Sequence, residues 1–204
     1  MYAAIMCLAL VLALWASEWI DSLYQREREI LTFPEKMRAS AFRLPLLVLG
    51  FGGMAIILSG EAMQLTEAAK RLLLAWFLLM TMVTDFEQHL IFDRMQMPFA
   101  VLALPFIFLG GQVTDHLLAA LAGGGSFLIL SLITKGAIGG GDIKLMSVLG
   151  LWLGTENLTR IAIGGFLLSG LVAMAMLLSR RWKRDERFAY SPYFSLIALA
   201  LLVN

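Results

Sequence analysis

Residues 72–85 read Leu-Leu-Leu-Ala-Trp-Phe-Leu-Leu-Met-Thr-Met-Val-Thr-Asp, an oily run that ends directly on an acid. A helix through this stretch has no polar face to offer water, so it belongs in a protein core or in a bilayer. Composition decides between the two. The chain has 204 residues, 60% of them hydrophobic and only 15% charged, against roughly a quarter charged in soluble domains. Mean hydropathy is +0.81. A bilayer can cover that much apolar surface and water cannot.

Working outward from this run, a spanning helix needs about 20 apolar residues, fewer when it is packed inside a bundle. Eight candidate spans follow: Tyr2–Ile20, Leu44–Ser59, Ala68–Thr84, Met95–Gly111, Leu117–Thr134, Asp142–Gly154, Leu158–Ser179 and Ala189–Val203. The sixth is too short to cross unless it is buried among the others. The expected fold is all-α, a polytopic transmembrane bundle of about eight helices forming one domain over residues 1–204. The N-terminus is apolar from Tyr2 with no Lys or Arg ahead of it, which favours a retained first helix over a cleaved signal peptide.

Charge fixes an expected orientation. One set of loops carries Arg26, Arg28, Lys36, Arg38, Arg43, Arg94, Lys135, Lys144, Arg180, Arg181, Lys183, Arg184 and Arg187. The alternate set carries only Lys70, Arg71 and Arg160. Thirteen against three puts the first set in the cytoplasm, so both termini face outward. The longest polar stretch, Asp21 to Arg43, is 23 residues. It reads as a short cytoplasmic connector, either solvated or forming an interfacial helix. The basic loops suit anionic lipid headgroups. A net charge of +1 gives no reason to expect a nucleic-acid partner.

The single cysteine, Cys7, lies in the first apolar run, and His89 and His116 stand in no metal-ligand spacing. No metal or cofactor is expected, and both histidines read as exposed or interfacial. The informative residues are acids at membrane depth, which mark functional sites by default. Asp85 closes one apolar run, and Asp142 opens another directly after Gly139-Gly140-Gly141. The two lie 57 positions apart on different spans, and the charge count puts both at the cytoplasmic boundary. Two carboxylates brought together share a proton, so that one acts as base and the other as acid. Such a pair can activate water for attack on a peptide carbonyl. Taken singly, each is equally an interfacial cap, and Asp is a good N-cap. The glycines allow unusual dihedrals and close backbone approach, which would suit an extended substrate held beside the acid. Gly123-Gly124-Gly125 and Gly164-Gly165 read instead as helix-packing surfaces.

Gly139-Gly140-Gly141-Asp142 fits the GxGD signature of membrane aspartic peptidases. Its extension through Ile143-Lys144-Leu145 and Gly150-Leu151-Trp152-Leu153-Gly154 resembles the type IV prepilin peptidases. The segment Asp85-Phe86-Glu87-Gln88-His89-Leu90-Ile91-Phe92-Asp93 resembles that family's first-aspartate motif. Met97-Pro98 and Tyr190-Ser191-Pro192-Tyr193 resemble later motifs. Phe92 stands where proline is usual, and Ser191 where glycine is usual. The resemblance runs from about Ala68 to the C-terminus.

The resemblance implies a catalytic pair, Asp85 and Asp142. Gly139 and Gly141 would be the motif glycines, Lys144 the motif lysine with its role open, and Asp93 a supporting or substrate-facing acid. It implies prepilin or pseudopilin substrates, cut between a basic leader and an apolar helix. Glu87 and Asp93 are expected to attract that leader by charge. Bifunctional members carry paired CxxC motifs in the first cytoplasmic loop, associated with N-methylation. The loop here has no cysteine, so cleavage without methylation is expected. A presenilin-like or preflagellin-type GxGD protease, a small proton-coupled transporter and an inert scaffold stay open as alternatives.

Overall fold

A computed structural model describes residues 2–34, 40–59, 64–179 and 190–203. Among these residues every regular element is helical: α1 (Tyr2–Arg26), a short 3-10 turn at Arg28–Ile30, α2 (Arg43–Ser59), α3 (Leu65–Gln88), α4 (Asp93–Gly110), α5 (Val113–Ile133), α6 (Gly140–Leu178) and α7 (Ser191–Val203). Residues Met6–Arg26 of α1, together with α5 and α6, are long and apolar enough to cross a membrane. The helices α2 and α7 are shorter apolar segments. Large apolar side chains lie on the outside, among them Leu121, Leu128 and Leu132 of α5 and Leu167, Leu171 and Leu178 of α6. Thr81, Thr84, Asp85, Gln88, Gln96 and Ser169 are buried. An exterior of that kind suits lipid rather than water. The chain is a multi-pass membrane protein.

The chain forms two compact units, residues 1–90 with 198–204 and residues 91–197. In the first, α1 buries Ala9, Ala13, Ala16, Ile20 and Leu23, a three-four spacing that lays one helical stripe inward. Small residues let the backbones close up. A side chain at Gly52 would meet Met6, and one at Gly50 would meet Leu79. α1 runs on to Arg26, past the expected end of the first span. Of the connector expected at 21–43, residues 21–26 are therefore helical, and residues 35–39 lie outside the described set. Arg71 donates to the Leu202 carbonyl at 2.9 Å, a cation at the C-terminal end of α7.

In the second unit α6 is not one rod. Gly154 has φ +75° and ψ −179°, outside helical values. Before it, α6 runs antiparallel to α5: Ser147 meets Gly124, Met146 meets Gly123 and Gly150 meets Ala119. After it the direction reverses. Thr155 lies at Asp115, Leu158 at Gly123, and Phe166 stacks on Phe127 at 5.3 Å. Gly154 is thus the turn of a helical hairpin, and the described residues form eight α-helical segments where about eight are expected. Residues 140–153 cover about 21 Å at the helical rise, too short to cross a hydrocarbon core of about 30 Å unaided. Gly123, Gly124, Gly164 and Gly165 are close-approach positions, as expected, whereas Gly125 faces open space.

The turn at Gly154 has its own fixings. Asp115 accepts hydrogen bonds from the Thr155 N–H, at 3.1 Å, and from the Thr155 hydroxyl. It thereby caps the returning helix. His116 lies with Nδ1 at 2.7 Å from the Leu151 carbonyl and is buried rather than exposed.

Candidate active site

Asp85 belongs to the first unit and Asp142 to the second. The apolar run of α3 does not stop the helix at Thr84. The helix continues to Gln88, so Asp85 sits within its last turn, 5% exposed. The helix ends on His89, a non-glycine residue in the left-handed conformation (φ 51°, ψ 41°), whose N–H donates to the Asp85 carbonyl at 2.9 Å. A cavity of about 730 Å³ borders this turn, lined by Val83, Phe86 and Glu87 with Ser40, Phe42, Arg43 and Leu46.

Glu87, two residues past Asp85, is held from several sides. Arg43 reaches it through Nε at 3.0 and 3.1 Å and through Nη2 at 2.5 Å. The Ser40 N–H donates at 3.0 Å and the Tyr24 hydroxyl at 2.9 Å. Arg43 itself is fully buried and also reaches Asp21 Oδ1 at 2.5 Å. Its charge assists each of these bonds.

Asp142 stands in the first turn of α6, and the N-cap of that helix is Gly139, not Asp142. The carboxylate therefore lies where the partial positive charge of the helix end favours it. Gly139 is extended (φ −69°, ψ 150°), and none of the three glycines has a positive φ. Close approach, not unusual dihedrals, explains the motif. A Cβ on Gly141 would lie 3.1 Å from the Ile91 Cβ and 3.4 Å from its carbonyl oxygen, whereas Gly140 faces open space. The Gln96 side-chain amide donates to the Gly141 carbonyl at 3.0 Å. The segment entering α4 is thus pressed onto the glycine turn. Lys144 Nζ bridges both Asp93 carboxylate oxygens at 2.7 Å, with both side chains about half exposed.

The second unit therefore gathers Asp93, Gly141 and Lys144 around the start of the helix that carries Asp142. Each acid expected to face a substrate is paired with a cation in its own unit, Glu87 with Arg43 and Asp93 with Lys144. Sequence reading counted Arg43 only as a loop cation and passed over Tyr24, Gln88 and Gln96. The available signal was position: Arg43 lies between Phe42 and Leu44 at the mouth of an apolar span. Among the described residues no cluster of His, Cys, Asp and Glu could hold a metal ion.

Comparison with known proteins places these features in context. Residues 72–178, which include both aspartates, match the type IV leader peptidase family. A prepilin leader peptidase/N-methyltransferase of Aeromonas salmonicida is 29% identical over 178 residues, covering 80% of this chain and 59% of that protein. Proteins of the same description from Aeromonas hydrophila and Bacillus subtilis are 30% identical over 142 residues and 31% over 121. These cover 64% and 56% of this chain and 48% and 47% of theirs. The chain thus spans about half to three-fifths of the length of these relatives. No solved structure matches.

Proposed function

The chain belongs to the type IV leader peptidase family, and on that premise we propose that it is a membrane aspartic endopeptidase that removes the basic leader of type IV prepilins or pseudopilins. Asp85 and Asp142 form the catalytic pair. One carboxylate takes a proton from water as the water oxygen attacks the scissile carbonyl. The other, protonated, hydrogen-bonds the carbonyl oxygen as negative charge develops there. Proton transfer to the amide nitrogen then lets the C–N bond break, giving a carboxylate and a free amine.

The observation that carries this reading is the start of α6. The GxGD spacing coincides with a helix N-terminus whose second motif glycine is packed against Ile91, two residues before Asp93 of the first-aspartate motif. The open surroundings of Gly140 agree with its place as the unrestricted middle position of the motif. The surplus of Lys and Arg in one set of loops supports a site at the cytoplasmic face of the inner membrane, with both termini periplasmic. The cysteine-free connector supports cleavage without N-methylation.

The test is co-expression with candidate prepilins, with Asp85→Asn and Asp142→Asn made separately. Leader processing is expected to be lost in each while membrane insertion persists. Mass spectrometry of the mature pilin is expected to find an unmethylated N-terminus. Processing that survives either substitution removes that aspartate from the mechanism.

A further inference from the structure

The polar stretch after α1 is expected to be a connector, and two of its residues, Phe33 and Ser40, are bound to the turn that bears Asp85. Three consecutive residues beginning two past Asp85 make the contacts. Glu87 accepts from Ser40 and Arg43. Gln88, fully buried, accepts from the Phe33 N–H at 3.0 Å and donates to the Phe33 carbonyl at 3.3 Å. Its side-chain amide thus pairs with one backbone residue as a neighbouring strand would. His89 meets the Phe33 ring edge-on at 5.5 Å. Arg43 carries the linkage into α1 through Asp21, the Ser17 carbonyl at 3.3 Å and the face of Tyr24 at 5.5 Å.

This arrangement answers a physical problem. The last turn of a helix leaves carbonyls without helical partners and frays readily. A left-handed His89 is costly and persists only where its surroundings over-determine it. A buried arginine is equally costly unless its donors are met. Groups from α1, the connector and α2 converge on one turn of α3, and that turn carries Asp85.

We propose that the connector is a positioning strap for Asp85, with Arg43 and Gln88 as the positioning residues that hold the end of α3 in working geometry. This rests on Asp85 being catalytic. A displacement of about 1 Å at a reacting group costs on the order of 100-fold in rate, so the strap acts on turnover rather than on substrate affinity.

The experiment uses the full chain in lipid nanodiscs with Gln88→Met, Arg43→Lys and Arg43→Met. Two quantities are read: kcat and KM for cleavage of a purified prepilin, and amide hydrogen exchange across residues 84–89. In Gln88→Met, kcat is expected to fall roughly 10- to 100-fold with KM within about twofold, while exchange quickens in 84–89 and not in α5 or α6. Arg43→Lys is expected to retain more turnover than Arg43→Met. Wild-type kcat with unchanged exchange in Gln88→Met overturns the proposal. So does a loss of protection spread evenly through all helices, which would mark a general stabiliser. If the wild-type chain cleaves no prepilin, the peptidase reading fails. The exchange arm then still decides whether the strap holds the turn.

Discussion

Alanine placed in turn at each of the three glycines before Asp142 separates packing from flexibility. At Gly141 the new methyl would sit 3.1 Å from the Ile91 Cβ and 3.5 Å from the Ile91 nitrogen. Carbon atoms prefer about 3.5–4.0 Å. These neighbours are backbone or the root of a side chain, so no rotamer change relieves the overlap. Either the first turn of α6 or the segment entering α4 must shift by a few tenths of an ångström. Such overpacking costs about 1–3 kcal/mol, and the better helix propensity of alanine returns at most about 1. The net is a loss of up to about 2 kcal/mol, with Asp142 displaced. Turnover should fall on the order of 10- to 100-fold. At Gly140 nothing lies within 4 Å, so alanine there should be neutral or stabilising by about 0.5–1 kcal/mol. Gly139 is intermediate. Its dihedrals suit alanine and the Asp142 carboxylate lies 3.4 Å away, but alanine is a poorer N-cap. Thermal unfolding in detergent, paired with prepilin cleavage, measures both quantities. Full activity in Gly141→Ala, or loss of activity in Gly140→Ala, would refute the close-approach argument.

The Asp93–Lys144 pair is half exposed, so a double-mutant cycle with Asp93→Asn and Lys144→Met should give a coupling of about 1 kcal/mol or less, declining with added salt. A coupling of several kcal/mol that salt leaves unchanged would show the pair is desolvated in the membrane. Gly154→Ala forces a left-handed backbone and drives a methyl against Asp115, so it should lower stability by at least about 1–3 kcal/mol. Asp115→Ala should cost about 1 kcal/mol through loss of the Thr155 cap. Calorimetry ranks the two, and equal effects would count against Gly154 as the obligatory turn.

The helical segments were legible because lipid imposes a rule on composition that a single sequence displays. The break in α6 was legible too, since the sixth and seventh spans were separated at Gly154, where the hairpin turns. The partner of a buried charge was not. Arg43 and Arg94 look alike in sequence, each a cation beside an apolar run. Only the fold delivers Glu87, 44 positions later, to the first of them. His116 misled for the same reason, since its buried place depends on the Leu151 carbonyl across the hairpin. Asp85 and Glu87 show the difference most sharply. Both are acids at the end of one oily helix, and sequence singles out the first as an acid at membrane depth and reads the second as a substrate-facing acid beside it. The fold holds Glu87 with an arginine and a tyrosine from two other helices. In doing so it ties down the turn on which Asp85 stands.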